Sequence, residues 1–382
     1  MSNQINIVKA VKRLFLAKER NEKIVLWGDY DADGISGTLI LYEGLKNLGF
    51  ENLSVSLSGR AGTHERGEKE IEKFAENGIS LIVSIDFGIS ANEKIKAAFK
   101  KGIDFIVLDH HTPSGIIPAG IIVNYFDGRY KNKSAAGVVF ELVKKLYRQA
   151  KRPKEETEIF LDLVAVSIVS DKISLTKLNK KIIIEGVKRI NRGNRAGLRA
   201  LAERIKIKNL TVDNFENLVS RIDFPEGIDE ENNLFRLMGG GDKKEIKKLV
   251  IKIEKHYQEA QSIIKRIFEK NIKKLNASGS LPKAIFVENE FNWPQPGISG
   301  LVANELVKKF NRPVFVYSRL ADKIKSSGRA PEDFNLIKAL GSCPKKLFDN
   351  FGGHPRAAGF KASIENFEKI EECLKKYFQW KK

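Results

Sequence analysis

KIVLWGDYDADGISG, Lys23 to Gly37, decides the fold: an apolar run from Ile24 to Trp27 gives way to Asp29, Asp31 and Asp33 at alternate positions, then to glycine. A strand covered on both faces is apolar throughout, and one that ends in an Asp- and Gly-rich turn before a helical pattern opens a βαβ unit. Lys23–Asp29 is therefore predicted as a strand and Ser36–Leu48 as the helix after it. The same punctuation recurs outward from this stretch. LSVSLS (Leu53–Ser58), LIVSID (Leu81–Asp86), FIVLDHH (Phe105–His111) and GIIVNY (Gly120–Tyr125) read as further strands. Several of them end in Asp or His. In an open parallel sheet the ligand site lies beyond the carboxyl ends of the strands, so these polar residues should meet in one crevice.

From Ser134 to Ser170 the pattern is helical, interrupted near KRPKEE (Lys151–Glu156), and LDLVAVSIVSD ends at Asp171. After GGGD (Gly239–Asp242) apolar residues recur at three- and four-residue spacing through a long helix that stops at ASGSLP. KAIFVENE (Lys283–Glu290) and PVFVYS (Pro313–Ser318) then read as strands around a helix at Gly300–Phe310. The expected architecture is α/β: a parallel-sheet domain (1–180), a helical connector with the long linking helix (181–278), and a smaller α/β domain (279–382). The active-site cleft is expected between the two lobes.

The chain has 382 residues, of which 42% are hydrophobic with 23 Phe, enough for real cores and against disorder as its main state. Lys+Arg 67 against Asp+Glu 48 gives +19, a balance suited to a polyanion such as nucleic acid. The 2 Cys, Cys343 and Cys373, are too few for a disulfide framework or a thiolate zinc cluster. They read as packing residues of a protein in a reducing compartment. Charges interrupt the N-terminal apolar residues every few positions, leaving neither a secretory core nor a membrane span. The expected location is cytoplasmic, with no membrane partner.

Three carboxylates as close as Asp29, Asp31 and Asp33 repel one another, and a divalent cation neutralises them compactly. A solvated acidic turn or a helix cap is the alternative. LDHH adds His110 and His111, of which one can ligate a metal while the other bonds a phosphate oxygen. Asp86 and Asp171 each end a run of their own and complete an oxygen- and nitrogen-rich set suited to Mn²⁺ or Mg²⁺. Far along the chain, FGGHPRAAGF (Phe351–Phe360) offers backbone N–H groups for an anion, and KSSGRAP (Lys325–Pro331) adds Ser327 and Arg329.

Together, DYDADGISGT, SIDFGIS, LDHHTP, VSDKISL and FGGHPRAAGF resemble the DHH phosphoesterase superfamily with its DHH-associated C-terminal domain, closest in order and spacing to the RecJ-type single-strand nuclease core. The resemblance covers most of residues 23–362. It implies phosphodiester hydrolysis by two Mn²⁺ or Mg²⁺ ions. Carried over by position, Asp31 serves the first metal, Asp86 bridges both, and Asp33, His110 and Asp171 serve the second. Asp29 is a ligand or supports one. Catalysis would rest on Asp86 and on His111, which steadies the phosphoryl oxygens, while Ser327, Arg329, Gly352, Gly353 and His354 hold the substrate phosphate.

Three features depart from the family. Trp27 stands where a ligating His is usual, two residues before Asp29, which weakens the expected first metal site, since an indole cannot ligate. The region VSRIDFPEGIDEENNLFRLMGGGD lacks an Asn-Ala-Ala-Gly-Arg pattern, and the sequence stops soon after the C-terminal lobe, without the OB-fold of long RecJ proteins. The leading expectation is a 5′-to-3′ exonuclease on single-stranded DNA or RNA in repair or turnover, with replication or repair proteins as partners. The alternatives are a phosphodiesterase for short oligonucleotides or cyclic dinucleotides, and a non-catalytic nucleic-acid-binding or replisome scaffold.

Overall fold

The computed structural model describes residues 3–58, 66–113, 116–124, 132–223, 233–277, 281–290 and 297–379. Tyr125, residues 224–232 of the departing segment and residues 278–280 of ASGSLP lie outside them. The chain divides into two compact units, Met1–Lys255 and His256–Lys382.

The first unit contains α1 (Asn3–Glu19), β1 (Lys23–Asp29), α2 (Ala32–Asn47), β2 (Leu53–Ser58), α3 (Arg66–Glu76), β3 (Ile79–Ile85), α4 (Asn92–Lys100), β4 (Asp104–Leu108), β5 (Ile121–Val123) and α5 (Ala135–Gln149). It continues through α6 (Leu161–Ser170), α7 (Lys177–Asn191), α8 (Ala196–Arg204), α9 (Val212–Ile222), α10 (Asn233–Gly239) and the first part of α11 (Lys243–Ala277). The strands form one sheet in the order β2-β1-β3-β4-β5, parallel at every pairing. Both faces are covered, which is why the strands are apolar throughout. Ile24 and Leu26 of β1 pack in a core with α1, α2, α5 and α6, while Val25 and Trp27 pack in another with α3 and α4. The order reverses on either side of β1, so a crevice opens beyond the carboxyl ends of β1 and β3.

Residues 181–255, expected as part of a connector, share the first unit's core: Ile183, Leu198, Phe215, Leu237 and Ile253 pack in it. One buried cation ties them down. Arg195 donates to Glu43 on α2 (2.6 Å), to Asp162 on α6 (3.1 Å) and to the Met238 carbonyl on α10 (3.2 Å). A buried guanidinium needs such partners, and their positions fix where α8 and α10 can dock.

The second unit holds the end of α11, then β6 (Ile285–Glu288), α12 (Gly297–Phe310), β7 (Val314–Leu320), β8 (Lys323–Arg329), α13 (Leu336–Ser342), β9 (Asn350–His354), β10 (Ala357–Ser363) and α14 (Phe367–Gln379). Its sheet runs β6-β7-β8-β10-β9, parallel only at β6 and β7. The reading of Cys343 and Cys373 as unlinked packing residues is corrected here: they form a disulfide with Cα atoms 5.9 Å apart. Their separation of 30 residues concealed this, because α13 and α14 bring the two ends of that loop together over one core. No helix among the described residues is long and apolar enough to cross a membrane.

Candidate metal centre

β1 delivers Asp29 to the edge of the sheet, and Asp31 caps α2 by accepting from Gly34 N–H at 2.9 Å. A Cβ at Gly34 would lie 2.5 Å from the Asp29 carbonyl oxygen, so only glycine lets the helix start this close to the strand end. The helix therefore begins at Ala32 rather than at Ser36, and Asp33 belongs to its first turn. Fully buried, Asp33 accepts from the N–H groups of Ala135 (2.7 Å) and Ala136 (2.8 Å) at the start of α5 and from Ser167 Oγ on α6 (2.7 Å). The first N–H groups of a helix have no partner within it, so α5 supplies free donors and a favourable dipole.

Asp86 follows β3 at φ 69°, a left-handed backbone unusual for a residue other than glycine. Its N–H donates to Leu108 O at 2.9 Å, which ties this conformation to the end of β4. Beyond β4, Asp109 accepts from the N–H groups of Ile89 (3.0 Å), His110 (2.7 Å) and His111 (3.0 Å), and lies 2.8 Å from His111 Nδ1. Asp109 thus holds the backbone of both histidines and the ring of His111. Asn124 donates to His111 O at 3.0 Å and holds the segment from β5.

The sequence-predicted Asp29, Asp31, Asp33, Asp86, His110, His111 and Asp171 are all brought to this crevice. His110 Nε2 lies 3.0 Å from Asp171 Oδ2, 3.2 Å from Asp86 Oδ1 and 3.7 Å from Asp33 Oδ2. Ligand atoms fall within 4.8 Å of one another in three sets: Asp86 with His110 and His111, Asp33 with His110 and Asp171, and Asp29 with Asp31 and Asp86. Asp86 and His110 each belong to two sets, which is the geometry of adjoining subsites. Asp86 Oδ1 and His110 Nε2 are buried at ion-pair distance from each other, and His110 Nε2 from Asp171 Oδ2, without a well-aligned hydrogen bond. Polar atoms crowded and buried in this way are costly, and a divalent cation among them would satisfy both. Hard oxygen donors with one or two imidazoles fit Mn²⁺ or Mg²⁺.

Burial and the charge of Asp171 raise Asp33 from 3.8 to about 7 without a metal, and burial with the charges of Asp33 and Asp31 pushes Asp86 well up. Burial opposes protonation of His110, but its contact with Asp171 and the charge of Asp33 win and raise it from 6.5 to about 9. Asp109 raises His111, and its own carboxyl, despite burial, is held below the usual range by His111. Raised pKa values in the metal-free fold add stability that is whole at low pH. For Asp33 it is lost from about pH 4 through 7, and for His110 from about 6.5 through 9. An ion must displace these protons. Mn²⁺ affinity is therefore expected to rise from pH 6 to pH 8 with net proton release, which calorimetry in buffers of different ionisation enthalpy would measure.

Asp109, Ser167 and the start of α5 were not singled out from sequence, although Asp109 stood inside LDHH. A carboxylate next to two histidines was itself the signal for a residue that orients them.

In the second unit, strand register brings most of the remaining candidates together. Gly359 on β10 faces Ser327 on β8 and Gly352 on β9, and Ala357 faces Arg329 and His354. Alternation along β8 puts Lys325, Ser327 and Arg329 on its more exposed face while Ile324, Ser326 and Gly328 turn inward. FGGHPRAAGF is a hairpin of paired strands rather than an open anion loop. Gly353 has φ 127°, and a Cβ there would lie 2.4 Å from Ala357 O. The side chain of His354 lies outside the described residues. Arg329 donates to Gly328 O at 2.9 Å, its pKa is lowered by burial, and no carboxylate pairs with it among the described residues.

The model of the DHH family, N-terminal domain, matches residues 23–168, and that of the DHHA1 domain matches residues 282–380. The single-stranded-DNA-specific exonuclease RecJ of Bacillus subtilis is 29% identical over 96% of this chain and 47% of its own length; that of Thermus thermophilus is 29% identical over 94% and 53%. The chain spans about half the length of these curated relatives. Among solved structures, RecJ from Thermus thermophilus in complex with Mn²⁺ matches with a TM-score of 0.84 at 27% identity, over 98% of this chain and 55% of that one. An exonuclease RecJ bound to manganese matches with a TM-score of 0.83 at 26% identity, over 98% and 94%. Residues 23–168 and 282–380 thus match the DHH family's N-terminal domain and the DHHA1 domain in tandem, and the chain resembles RecJ relatives along nearly its whole length.

Proposed function

We propose that this chain hydrolyses phosphodiester bonds of single-stranded nucleic acid, as a Mn²⁺- or Mg²⁺-dependent exonuclease running 5′ to 3′ in DNA repair or nucleic-acid turnover. The observation that carries the reading is the overlap of three sets of ligand atoms at the buried pair Asp86 Oδ1 and His110 Nε2, 3.2 Å apart. Asp33, Asp86, His110 and Asp171 would hold one ion, and Asp29, Asp31 and Asp86 the other. Such a pair supplies an acidified attacking water and charge compensation for the leaving oxygen.

The chain's own residues supply orientation. Asp109 fixes Nδ1 of His111, so the other nitrogen of this half-exposed ring is free to donate to a phosphoryl oxygen. On the second unit, Arg329, with no carboxylate partner among the described residues, joins Lys325 and Ser327 on a basic strand face near Gly352, where a Cβ would meet nothing within 4 Å and a phosphate has room. Net charge of +19 favours a strand over a small anion.

Digestion of 5′-labelled and 3′-labelled single strands in Mn²⁺ tests the reading. Mononucleotides released progressively from the 5′ end are the expected result; no metal-dependent release from either strand would overturn it. Trp27, buried where a ligand is usual, favours a chain that binds strands without cutting them, and in that case binding would persist in the same assay without product.

A further inference from the structure

The Asp29–Asp31–Asp86 set contains carboxylates only, and the residue that closes the strand face beneath it is Trp27. Trp27 pairs in register with Ser84, two residues before Asp29 on β1 and two before Asp86 beyond β3. Its ring is 1% exposed, with Phe74 edge-on at 5.4 Å and Phe87 edge-on at 5.1 Å. The indole N–H is buried without a hydrogen-bond partner. Such an orphan is costly, so the ring is held there by what its faces touch.

What one face touches is a cation. Lys94 on α4 places Nζ 5.4 Å from the Trp27 ring centroid and 5.7 Å from that of Phe87. An ammonium within reach of two neighbouring aromatic rings is attracted by both, the more so when partly desolvated. Burial lowers the pKa of this half-buried lysine, against the charges of Glu70 and Asp29. Lys94 thus stands over the ring that lies two residues before Asp29 on the same face of β1.

We propose that the Trp27–Phe87 pair holds the Lys94 ammonium as a resident cation beside the Asp29–Asp31–Asp86 group, so that this group binds its divalent ion far more weakly than the Asp33–His110–Asp171 group does. The inference rests on the metal-dependent reading above. A fixed positive charge offsets part of the carboxylate field that would attract Mn²⁺, and the strand position that could add an imidazole is filled by the ring that holds that charge. In the other group Asp33 is anchored by three donors.

Mn²⁺ binding to the whole chain, followed by the electron paramagnetic resonance signal of free Mn²⁺, tests this without reference to activity. Wild type should bind one ion at least about tenfold more tightly than a second. Lys94→Met should tighten the second about tenfold and leave the first unchanged, while Lys94→Arg should keep the wild-type gap. Should Lys94→Met fail to fold by circular dichroism, Lys94→Gln serves the same comparison. Two equal sites in wild type, or a second site indifferent to loss of the charge, would overturn the proposal alone. No Mn²⁺ bound at either site would overturn the metal-dependent reading with it.

Discussion

Asp86→Asn is expected to lower the rate of Mn²⁺-dependent strand hydrolysis by about a thousandfold or more, because it removes the one carboxylate shared by two ligand sets. Asparagine is nearly the same shape and tolerates the left-handed backbone that Asp86 adopts, so the fold should survive. Without metal the effect on stability should even have the opposite sign. Asp86 is buried among Asp29, Asp31, Asp33 and Asp171, and neutralising it relieves their repulsion. The melting temperature of the metal-free variant should therefore equal or exceed that of wild type. Activity on a labelled strand and melting in chelator, measured on one preparation, separate the outcomes. Retained turnover would remove Asp86 from the chemistry, and a collapsed melting temperature would make it a structural residue.

Asp109→Ala should act in the other direction, costing about 3–5 kcal/mol of the first unit's stability. Its carboxylate is the acceptor for the N–H groups of Ile89, His110 and His111 and partners the His111 ring, all at the end of β4. Alanine would strand three backbone donors and release the His111 imidazole. Asp109→Asn, which keeps one carbonyl oxygen, should cost about 1–2 kcal/mol. Hydrogen exchange of the β3 and β4 amides reads this locally, which matters in a chain of two units that need not unfold together. Unchanged protection in the alanine variant would mean that the histidine segment is held by other contacts.

Strands were readable in this sequence because a parallel sheet covered on both faces leaves continuous apolar runs, and three of the runs end at Asp or His. The ligand set was readable for the same reason, since strand ends converge whatever lies between them. Asp33 was less so: its place in the turn was inferred, but the helix starts earlier and aims it at α5, a partner a hundred residues away. Arg195 carried no signal that it would tie α8 and α10 to α2 and α6, because the three acceptors it unites are remote in sequence. Likewise nothing local to Cys343 or Cys373 reveals that α13 and α14 lie side by side. Periodicity reports which face of an element is buried, not which element buries it.

The order in which the ligands leave the ribosome has a consequence for assembly. Asp29, Asp31 and Asp33 emerge together, Asp86 and His110 follow with later strands, and Asp171 arrives only at the end of α6. Until β3 and β4 have paired with β1 and α5 has docked, the early carboxylates have no shared cavity in which to hold an ion. Closing loops of this length before any contact repays the entropy makes the centre a late event. A divalent ion can therefore lock the finished unit but cannot template it, so its presence should slow unfolding far more than it speeds folding.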